Sequence, residues 1–417
     1  MKRRDFLKAA GAAAGAAAFA GCASTTPSKA RVVVIGGGFG GATAAKYIRM
    51  WDPSIDVVLV ERESAFVSCP ISNLVLGGYS GMQEITTGYG GLRRHGVQVV
   101  RDEALTVDPA KKTVRLARGG DIGYQRLVVS PGIDFNFGEI QGYEAAMQTG
   151  RVLHAWRAGA QTVALRRQLE QMSDGGVYVL SIPLAPYRCP PGPYERASMV
   201  AAYFKQSKPR SKVLVLDANP DVTSKAGLFK AAWKDLYPGI LEYRGNAKAV
   251  GVDAAGTIKL EVEDVKGDVL NIVPPHRAGN IAQQAGLITT NNRWCDVDWR
   301  TMESKAVPGI HVLGDATLSA AAMPKSGSMA NNHAKIAAAA IVEQLNGRSA
   351  SPVQIINTCY SFVSPKEAIR VSSVHAWDDK DRTLKALPGG GVSAARSEAE
   401  ATYAWNWART IWADSLG

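Results

Sequence analysis

Cysteines are the residues of this sequence best suited to redox chemistry. Besides Cys22, which lies near the N-terminus, the chain carries Cys69, Cys189, Cys295 and Cys359. No cysteine belongs to a C-x-x-C-H sequence, so the chain attaches no c-type haem itself, and no Cys/His spacing suits zinc. Cys189 lies in a proline-rich loop after a predicted strand, where ligands bind in open α/β sheets. The cysteines therefore predict thiol or disulfide chemistry, without a metal site.

Three glycines in G-x-G-x-x-G spacing follow the first apolar strand, which is predicted over residues 32–35. Gly36 permits a tight turn, Gly38 lets a pyrophosphate approach the backbone, and Gly41 lets helix and strand pack closely. The helix that follows presents free N–H groups to the phosphates. A second predicted strand ends at Glu61, 20 residues after Gly41, where a ribose-binding acid is expected. These features predict a dinucleotide site; the alternative is a glycine-rich turn followed by a chance acid.

Two later segments favour FAD as that dinucleotide. The sequence Gly-Asp-Ala at 314–316 ends a predicted strand and matches the second fingerprint of FAD domains, in which the acid binds the ribityl and phosphate region. Ser-Pro-Gly at 130–132 ends another apolar strand. In flavin reductases with this glycine turn, such a strand closes the first part of the FAD domain. Lys325 is predicted near the pyrimidine side of the flavin, where a cation stabilises the reduced ring. The alternative is an exposed loop lysine.

A second predicted strand–helix unit lacks the glycines that a nicotinamide needs. The strand at 176–181 is followed by residues 182–196, which contain five prolines and one glycine. Prolines remove N–H donors and prevent the close approach of a pyrophosphate. A helix at 197–205 and a strand at 212–216 continue the scaffold. The sequence therefore predicts a nicotinamide-type domain without a nicotinamide site.

Several segments together carry a resemblance to one known family. They are residues 34–41, 68–73, 188–196, 314–316 with 323–327, and 357–360. On these segments, nearly the whole chain after residue 24 resembles the flavoprotein subunit of flavocytochrome c sulfide dehydrogenase, with sulfide:quinone oxidoreductases as more distant relatives. The segments at 188–196 and 357–360 are the most specific.

The resemblance implies a role for most of the cysteines. Cys69 matches the cysteine that carries FAD through a thioether to the 8-methyl group of the flavin. Cys189 and Cys359 match a redox disulfide that lies over the isoalloxazine ring, and Glu195 matches an acid that handles protons near it. Cys295 matches no catalytic position and is expected to be a buried free thiol. The predicted cofactor contacts are Gly36, Gly38, Phe39, Gly40, Gly41, Glu61, Arg62, Cys69, Asn73, Pro131, Gly132, Gly314, Asp315, Pro324 and Lys325.

A purely structural disulfide is an open alternative for Cys189 and Cys359. The two cysteines are 170 residues apart, and closing such a loop is worth about 5 kcal/mol in the chain-entropy treatment. Against this alternative, the rigid prolines around Cys189 would hold a strained bond, and strained bonds are readily reduced.

The resemblance implies a flavin-dependent sulfide:cytochrome c oxidoreductase. Such an enzyme oxidises hydrogen sulfide to zero-valent sulfur or polysulfide and passes electrons to a c-type cytochrome subunit, which alone carries haem. A sulfide:quinone oxidoreductase and a non-catalytic flavin-binding or sulfur-carrier subunit are the alternatives. An NAD(P)H-dependent disulfide reductase is disfavoured by the proline-rich loop and by the single cysteine at position 69, where such enzymes have a pair.

The first 24 residues are predicted to be an export signal. Residues 2–8 show a twin-arginine pattern, and the Ala/Gly run at 9–20 is too short to span a membrane, which takes about 20 apolar residues. A small-residue cleavage at 18–20 and lipid attachment at Cys22 are both open. The predicted location is the bacterial periplasm, where disulfides persist.

Charge and composition limit the partners. The 417 residues carry a formal charge of +11, of which residues 2–8 supply +3 and leave about +8. No dense Lys/Arg block or basic–aromatic interleaving is present, which argues against nucleic-acid binding. The remaining positive charge suits an acidic protein partner or small anions.

The predicted fold class is α/β, with two Rossmann-like dinucleotide-binding domains of the glutathione-reductase type and a C-terminal α+β interface domain. After the signal at 1–24, the FAD domain is predicted at 30–155 and 290–347, the second domain at 156–289 and the interface domain at 348–417. In the last domain we expect a strand around 357–360, a Pro/Gly-rich turn at 388–391, and a helix. The tryptophans of that helix, Trp405, Trp407 and Trp412, are expected in a core or a docking surface.

Overall fold

A computed structural model describes residues 28–417 of the chain. The predicted export signal, its cleavage site and Cys22 lie outside the described residues. Within residues 28–417, no helix has the length and apolar character needed to cross a membrane.

Strands and helices alternate along most of the chain. The strands are Ala30–Ile35 (β1), Ile55–Val60 (β2), Ala65–Val67 (β3), Thr86–Gly88 (β4), Gln98–Val100 (β5), Ala104–Asp108 (β6), Thr113–Leu116 (β7), Asp121–Gly123 (β8), Arg126–Val129 (β9), Ile133–Phe135 (β10), Val152–Leu153 (β11), Val177–Ile182 (β12), Lys212–Asp217 (β13), Leu241–Arg244 (β14), Ala249–Val252 (β15), Thr257–Leu260 (β16), Asp264–Lys266 (β17), Val269–Ile272 (β18), His276–Ala278 (β19), Val297–Asp298 (β20), Glu303–Ser304 (β21), Ile310–Val312 (β22), Gln354–Phe362 (β23), Ala368–Asp378 (β24) and Thr383–Val392 (β25). The α-helices are Phe39–Trp51 (α1), Ser72–Gly77 (α2), Gly90–Arg94 (α3), Tyr143–Gln148 (α4), Ala160–Gln171 (α5), Gly192–Ser207 (α6), Ala226–Leu236 (α7), Asn280–Gln284 (α8), Gly327–Leu345 (α9) and Glu398–Leu416 (α10).

The first sheet has seven strands in the order β20-β21-β22-β9-β1-β2-β5. Its central strand β1 pairs in parallel with β2 and β9. Except for Arg31, its residues are buried, because α1 packs on β1 and β2 and α9 packs on α1 in the same core. Parallel strands covered by helices are continuous hydrophobic runs for this reason. The carboxyl ends of these strands meet at one edge, where the glycine turn lies.

The second sheet has five parallel strands in the order β11-β18-β12-β13-β14. The predicted α/β class with two Rossmann-like domains is therefore confirmed. The chain passes from the first domain to the second, and later back to the first, at earlier positions than the predicted boundaries at 155/156 and 289/290. Val152 and Leu153 already pair with β18 of the second sheet, and Ile281 and Ala282 of α8 already pack in the first core. These segments are too short to show a pattern in the sequence.

The C-terminal region consists of the antiparallel sheet β23-β24-β25 and helix α10. The predicted turn at 388–391 is wrong, because these residues lie within β25. Since β25 is an edge strand, it tolerates proline and glycine. Trp412 is buried, whereas Trp405 and Trp407 pack partly buried against the same core.

Two helices begin earlier than the sequence pattern predicts, since that pattern places their starts at 197 and at 331. Helix α6 starts at Gly192 and not at 197, because a proline in the first helical turn loses no hydrogen bond. Helix α9 starts at Gly327, where the Ser326 hydroxyl accepts a hydrogen bond from the Met329 N–H. Both helix N-termini therefore lie closer to the predicted site residues than the sequence pattern indicated.

Candidate functional site

A cavity of about 590 Å³ joins the carboxyl edge of the first sheet to α6 and β23. That volume is typical of a ligand site. Most of the predicted site residues line it, although they come from distant parts of the chain. They are Gly36, Gly38, Phe39, Gly40, Glu61, Arg62, Cys69, Asn73, Pro131, Gly132, Cys189, Glu195, Gly314, Asp315 and Cys359.

The glycine turn is shaped by close backbone packing. Gly36 has φ +95°, a conformation that favours glycine. A Cβ on Gly41 would overlap the carbonyl oxygen of Gly36, whereas one on Gly38 would meet no protein atom within 4 Å. Gly41 therefore packs α1 against β1 and does not line the cavity, while Gly38 leaves open space beside the helix N-terminus. This is the arrangement that a pyrophosphate needs.

Glu61 is held at the end of β2 by backbone amides. The Gly37 N–H donates to its Oε2 at 2.6 Å, and the Glu63 N–H donates to its Oε1 at 2.8 Å. The carboxylate is thereby fixed beside the glycine turn, where a ribose would lie.

The carboxylate of Asp315 indicates that FAD fits the cavity. Its Oδ1 is buried without a hydrogen-bond partner among residues 28–417, although the residue lines the cavity. Burial raises the pKa of this carboxyl, opposed by the positive charges of Arg188 and Lys325. An unpaired buried oxygen aimed at a cavity is costly unless a ligand pairs it. The ribityl hydroxyls or phosphates of FAD would supply that partner, so the residues fit the cofactor.

Lys325 is a buried residue that contacts the Asp315 turn. The side chain is buried, which rules out the exposed loop lysine, but neither Lys325 nor Pro324 is among the residues that line the cavity. Its ammonium donates to the backbone oxygens of Asp315 and Thr317 and lies 3.7 Å from the centroid of the Trp294 ring. Lys325 therefore supports the Asp315 turn from behind. No local sequence pattern around Lys325 indicates these two carbonyl contacts.

Cys189 and Cys359 both line the cavity, and all four cysteines of residues 28–417 are free thiols in this structure. Cys189 has a left-handed backbone, φ +57°, and its N–H donates to the Lys325 carbonyl at 2.8 Å. Burial, together with the nearby Cys359 and Glu195, raises the pKa of the Cys189 thiol. Burial also raises the pKa of Cys359, and the positive charge of Lys225 is the largest effect that opposes this shift. The two thiols therefore differ in electrostatic surroundings.

Glu195 lies in the first turn of α6 with both carboxylate oxygens bonded. Asn73 donates to Oε2 at 2.7 Å, and the Phe362 N–H donates to Oε1 at 2.8 Å. Burial raises the pKa of Glu195 despite these hydrogen bonds. A carboxyl near the two thiols, with a pKa raised above its ordinary value, suits proton exchange with them.

Cys69 lies at the entry to α2, and its thiol contacts the Trp156 carbonyl at 3.7 Å. Cys295 is fully buried outside the cavity lining, and burial raises its pKa to about 12. A fully buried thiol of this kind does not form the reactive thiolate.

Several lining residues were not predicted as site residues. Arg188 and Arg196 fall inside the segment 188–196, so their proximity to Cys189 was a usable signal. Arg196 is almost fully buried, bonds the carbonyl oxygens of His154 and Ala155, and lies 4.7 Å from the Trp156 ring. Trp156 and Trp407 also line the cavity, but they lie outside every motif in the sequence.

The second Rossmann-like sheet ends in a buried polar cluster where a nicotinamide ribose would bind. Asp217 at the end of β13 accepts hydrogen bonds from the hydroxyls of Tyr194 (2.8 Å) and Tyr243 (3.0 Å) and from the Asn219 amide (2.7 Å). Tyr187 joins the cluster through Thr223 at 2.9 Å. The acid that binds ribose in such folds is therefore bonded within the protein.

Comparison with protein families divides the chain into three matched segments. Residues 30–169 match the pyridine nucleotide-disulphide oxidoreductase family. Residues 162–274 match the central part of the sulfide dehydrogenase [flavocytochrome c] flavoprotein chain, and residues 351–416 match the flavin-binding part of flavocytochrome c sulphide dehydrogenase.

Individual relatives agree with these matches. The sulfide dehydrogenase [flavocytochrome c] flavoprotein chain of Chlorobaculum thiosulfatiphilum is 69% identical over 45 residues, which are 94% of that sequence and 11% of this chain. The mitochondrial sulfide:quinone oxidoreductase of Mus musculus is 24% identical over 311 residues, covering 71% of this chain and 68% of the relative.

Solved structures share the fold at low sequence identity. The sulfide:quinone oxidoreductase of Aquifex aeolicus superposes with a TM-score of 0.74 at 18% identity, over 92% of this chain and 91% of the other. A NAD-dependent persulfide reductase from A. fulgidus superposes with a TM-score of 0.64 at 16% identity, over 91% of this chain and 77% of the other. Taken with the family and sequence matches, the chain belongs to the flavocytochrome c sulfide dehydrogenase flavoprotein family.

Proposed function

We propose that this protein is a FAD-dependent enzyme that oxidises hydrogen sulfide through a disulfide between Cys189 and Cys359. The observation that carries this proposal is the single cavity, which holds the dinucleotide turn and Asp315 together with Cys189, Cys359 and Glu195. A disulfide between the two cysteines would supply the sulfur electrophile, and Glu195 would supply a proton acceptor. The name of the Chlorobaculum relative supports the same reaction.

The first step is thiol–disulfide exchange. Hydrosulfide attacks one sulfur of the disulfide, the S–S bond breaks, and its electron pair leaves on the other sulfur as a thiolate. The attacked cysteine then carries a persulfide, so one sulfide sulfur has been oxidised and one cysteine sulfur reduced. A second hydrosulfide attacks the outer sulfur of the persulfide, which releases a disulfane and a second thiolate. Glu195 accepts the proton that the disulfane loses as it leaves as hydrodisulfide.

FAD, when bound, accepts the electron pair that re-forms the disulfide. The residues that would hold it are Glu61 at the ribose, the glycine turn at the pyrophosphate and Asp315 at the ribityl or phosphate oxygens. We propose that Cys69 attaches the flavin covalently, since its thiol lines the same cavity. In Cys69→Ser, acid precipitation is expected to release the flavin into the supernatant, whereas the parent protein retains it in the pellet. Flavin that stays attached in the variant would rule out a thioether at this position.

We infer that electrons leave one at a time to a c-type cytochrome subunit. The hydrogen bonds of Asp217 to Tyr194, Tyr243 and Asn219 support an exit other than a nicotinamide. The twin-arginine pattern supports a periplasmic location, and lipid attachment at Cys22 belongs to the same proposal. Mixing the sulfide-reduced protein with a c-type cytochrome or with a soluble quinone tests the acceptor. Faster oxidation by the quinone would favour a sulfide:quinone oxidoreductase.

An anaerobic titration with sulfide tests the proposed reaction. Flavin absorbance should bleach with sulfide and stay unchanged with an equal concentration of NADH. An unchanged spectrum with sulfide would contradict the proposed substrate, and bleaching by NADH would indicate a nicotinamide-dependent enzyme.

A further inference from the structure

Lys225 is a buried lysine next to the candidate site that belongs to no motif in the sequence. It is 7% exposed and caps helix α7 with a left-handed backbone, φ +56°, which is unusual for a residue with a side chain. The side chain passes Phe229, with the ammonium 5.8 Å from the ring centroid. Burial of an ammonium is costly, so its surroundings must favour the charge.

The ammonium of Lys225 reaches the strand that carries Cys359. It donates to the Ser361 hydroxyl at 2.9 Å and to the Cys359 carbonyl at 3.3 Å. None of the ion pairs found within residues 28–417 involves Lys225. The Lys225 ammonium is therefore paired by a hydroxyl and a carbonyl. Within residues 28–417, no carboxylate forms an ion pair with it.

Potential anions surround this ammonium on several elements. Cys359 and Glu195 contribute most, followed by Cys189 and then by Glu400 of α10. Burial lowers the pKa of Lys225 to about 8, and these four groups oppose that shift. Lys225 thus stays largely protonated at neutral pH, and a negative charge on Cys359 would favour its charged form.

Cys359 also lies beside the start of α9. Its thiol is 3.4 Å from the Asn357 amide oxygen, and that oxygen accepts a hydrogen bond at 2.8 Å from Ser326, the N-cap of this 19-residue helix. A helix N-terminus favours negative charge. Burial and the negative charges of Cys359 and Glu195 raise the pKa of Cys189, whereas the positive charges of Arg188 and Lys225 oppose this shift with smaller effects.

We infer that Lys225 is a positioning residue that holds the Cys359 strand and stabilises a thiolate on Cys359, so that Cys359 is the leaving sulfur when the disulfide opens. This inference rests on the proposed function. Hydrosulfide then attacks the Cys189 sulfur, the S–S bond breaks, and its electron pair leaves on Cys359. Cys189 carries the persulfide, and the total charge of −1 is unchanged. The better-stabilised thiolate leaves faster in such exchanges.

The test measures the Cys359 thiolate without sulfide turnover. In a Cys189→Ser background, iodoacetamide alkylation of Cys359 is followed by mass spectrometry from pH 5 to 10, with the buried Cys295 as internal reference. Replacement of Lys225 by Met should move the midpoint of the alkylation profile upward by about one pH unit or more. At neutral pH this shift corresponds to roughly tenfold slower alkylation.

Matched variants separate this role from a structural one. Lys230→Met removes an exposed lysine of the same helix, which pairs with Asp221 at 2.7 Å, and should leave the profile unchanged. Ser361→Ala frees the ammonium from one anchor and should give a smaller upward shift; it serves as the test if Lys225→Met fails to fold. An alkylation profile that neither Lys225→Met nor Ser361→Ala shifts would overturn the inference. A Cys359 that is alkylated at no pH would overturn it as well. Because no sulfide is used, this outcome is distinct from a failure of the flavin to bleach with sulfide.

Discussion

The two strand-to-helix turns of this protein share a position in the fold and differ in chemistry. The first follows β1 and leads into α1 through Gly36, Gly38 and Gly41. The second follows β12 and leads into α6 through a loop of prolines that carries Cys189. Both strands are parallel and buried at the centre of their sheets. Each of the two sheets therefore has a strand-to-helix turn at the same position.

The two turns differ in the chemistry that their residues support. The glycine turn exposes backbone N–H groups and open space, which suits phosphate groups. The proline loop holds a thiol toward the cavity, and tyrosines bond the acid at the next strand end. A fold of this kind supplies a place for a ligand, while the loop residues decide which chemistry occurs there.

The largest effect is expected where the glycine turn depends on backbone packing. Gly41→Ala places a methyl group against the Gly36 carbonyl, which should cost about 3 kcal/mol or more and leave little folded protein. Gly38→Ala is the matched control, because its methyl group would meet no protein atom. That variant should fold, losing about 1 kcal/mol, but bind flavin poorly. Thermal denaturation and flavin content measure the two effects; equal stability in both variants would contradict this distinction.

An effect on rate is expected at the first turn of α6. Glu195→Gln removes the proton acceptor while keeping an amide that can pair with Asn73, so flavin reduction by sulfide should slow by about 10²-fold. In the parent protein, the rate should fall as the pH drops through the raised pKa of Glu195, because a protonated carboxyl accepts no proton. In the variant this limb should vanish.

Rates for this comparison are measured at equal hydrosulfide concentration across the pH range. Glu144→Gln, which changes an exposed carboxyl in α4, serves as control and should keep the parent profile. An acidic limb that persists in Glu195→Gln would assign it to another group.

The smallest effect is expected at the tyrosines of the second turn. Tyr194→Phe removes one hydrogen bond to Asp217 and should lower the free energy of unfolding by about 1–3 kcal/mol. Tyr403→Phe, at an exposed position, should change it by less than about 0.5 kcal/mol. Urea denaturation compares the two. Equal stability would mean that the Tyr194 hydroxyl contributes nothing to the cluster.

Sequence patterns predicted the parts of the site that depend on local geometry. The glycine spacing, Glu61 at a strand end and the Gly-Asp-Ala segment each express a backbone requirement, and the structure brings all three to one cavity. The positions of Cys189 and Cys359 on the same cavity followed from the family resemblance, since 170 residues separate them.

The remaining parts depend on tertiary contacts that leave no local pattern. Lys325 turned out to be buried against Trp294, and Lys225 reaches Cys359 from a helix of another domain. Trp156 lines the cavity from a loop without a motif. The residues 388–391 have the composition of a turn, yet they lie within the edge strand β25, where residues 388–390 form a bulge between the paired Leu387 and Gly391.

The most direct measurement is stopped-flow reduction of the bound flavin by sulfide in single cysteine variants. Cys189→Ser and Cys359→Ser should each slow reduction by about 10³-fold or more while retaining flavin. Cys295→Ala, which changes a buried thiol outside the cavity lining, should stay within about twofold of the parent rate. If either cavity variant reduced its flavin at the parent rate, the disulfide could not be the entry point for electrons from sulfide.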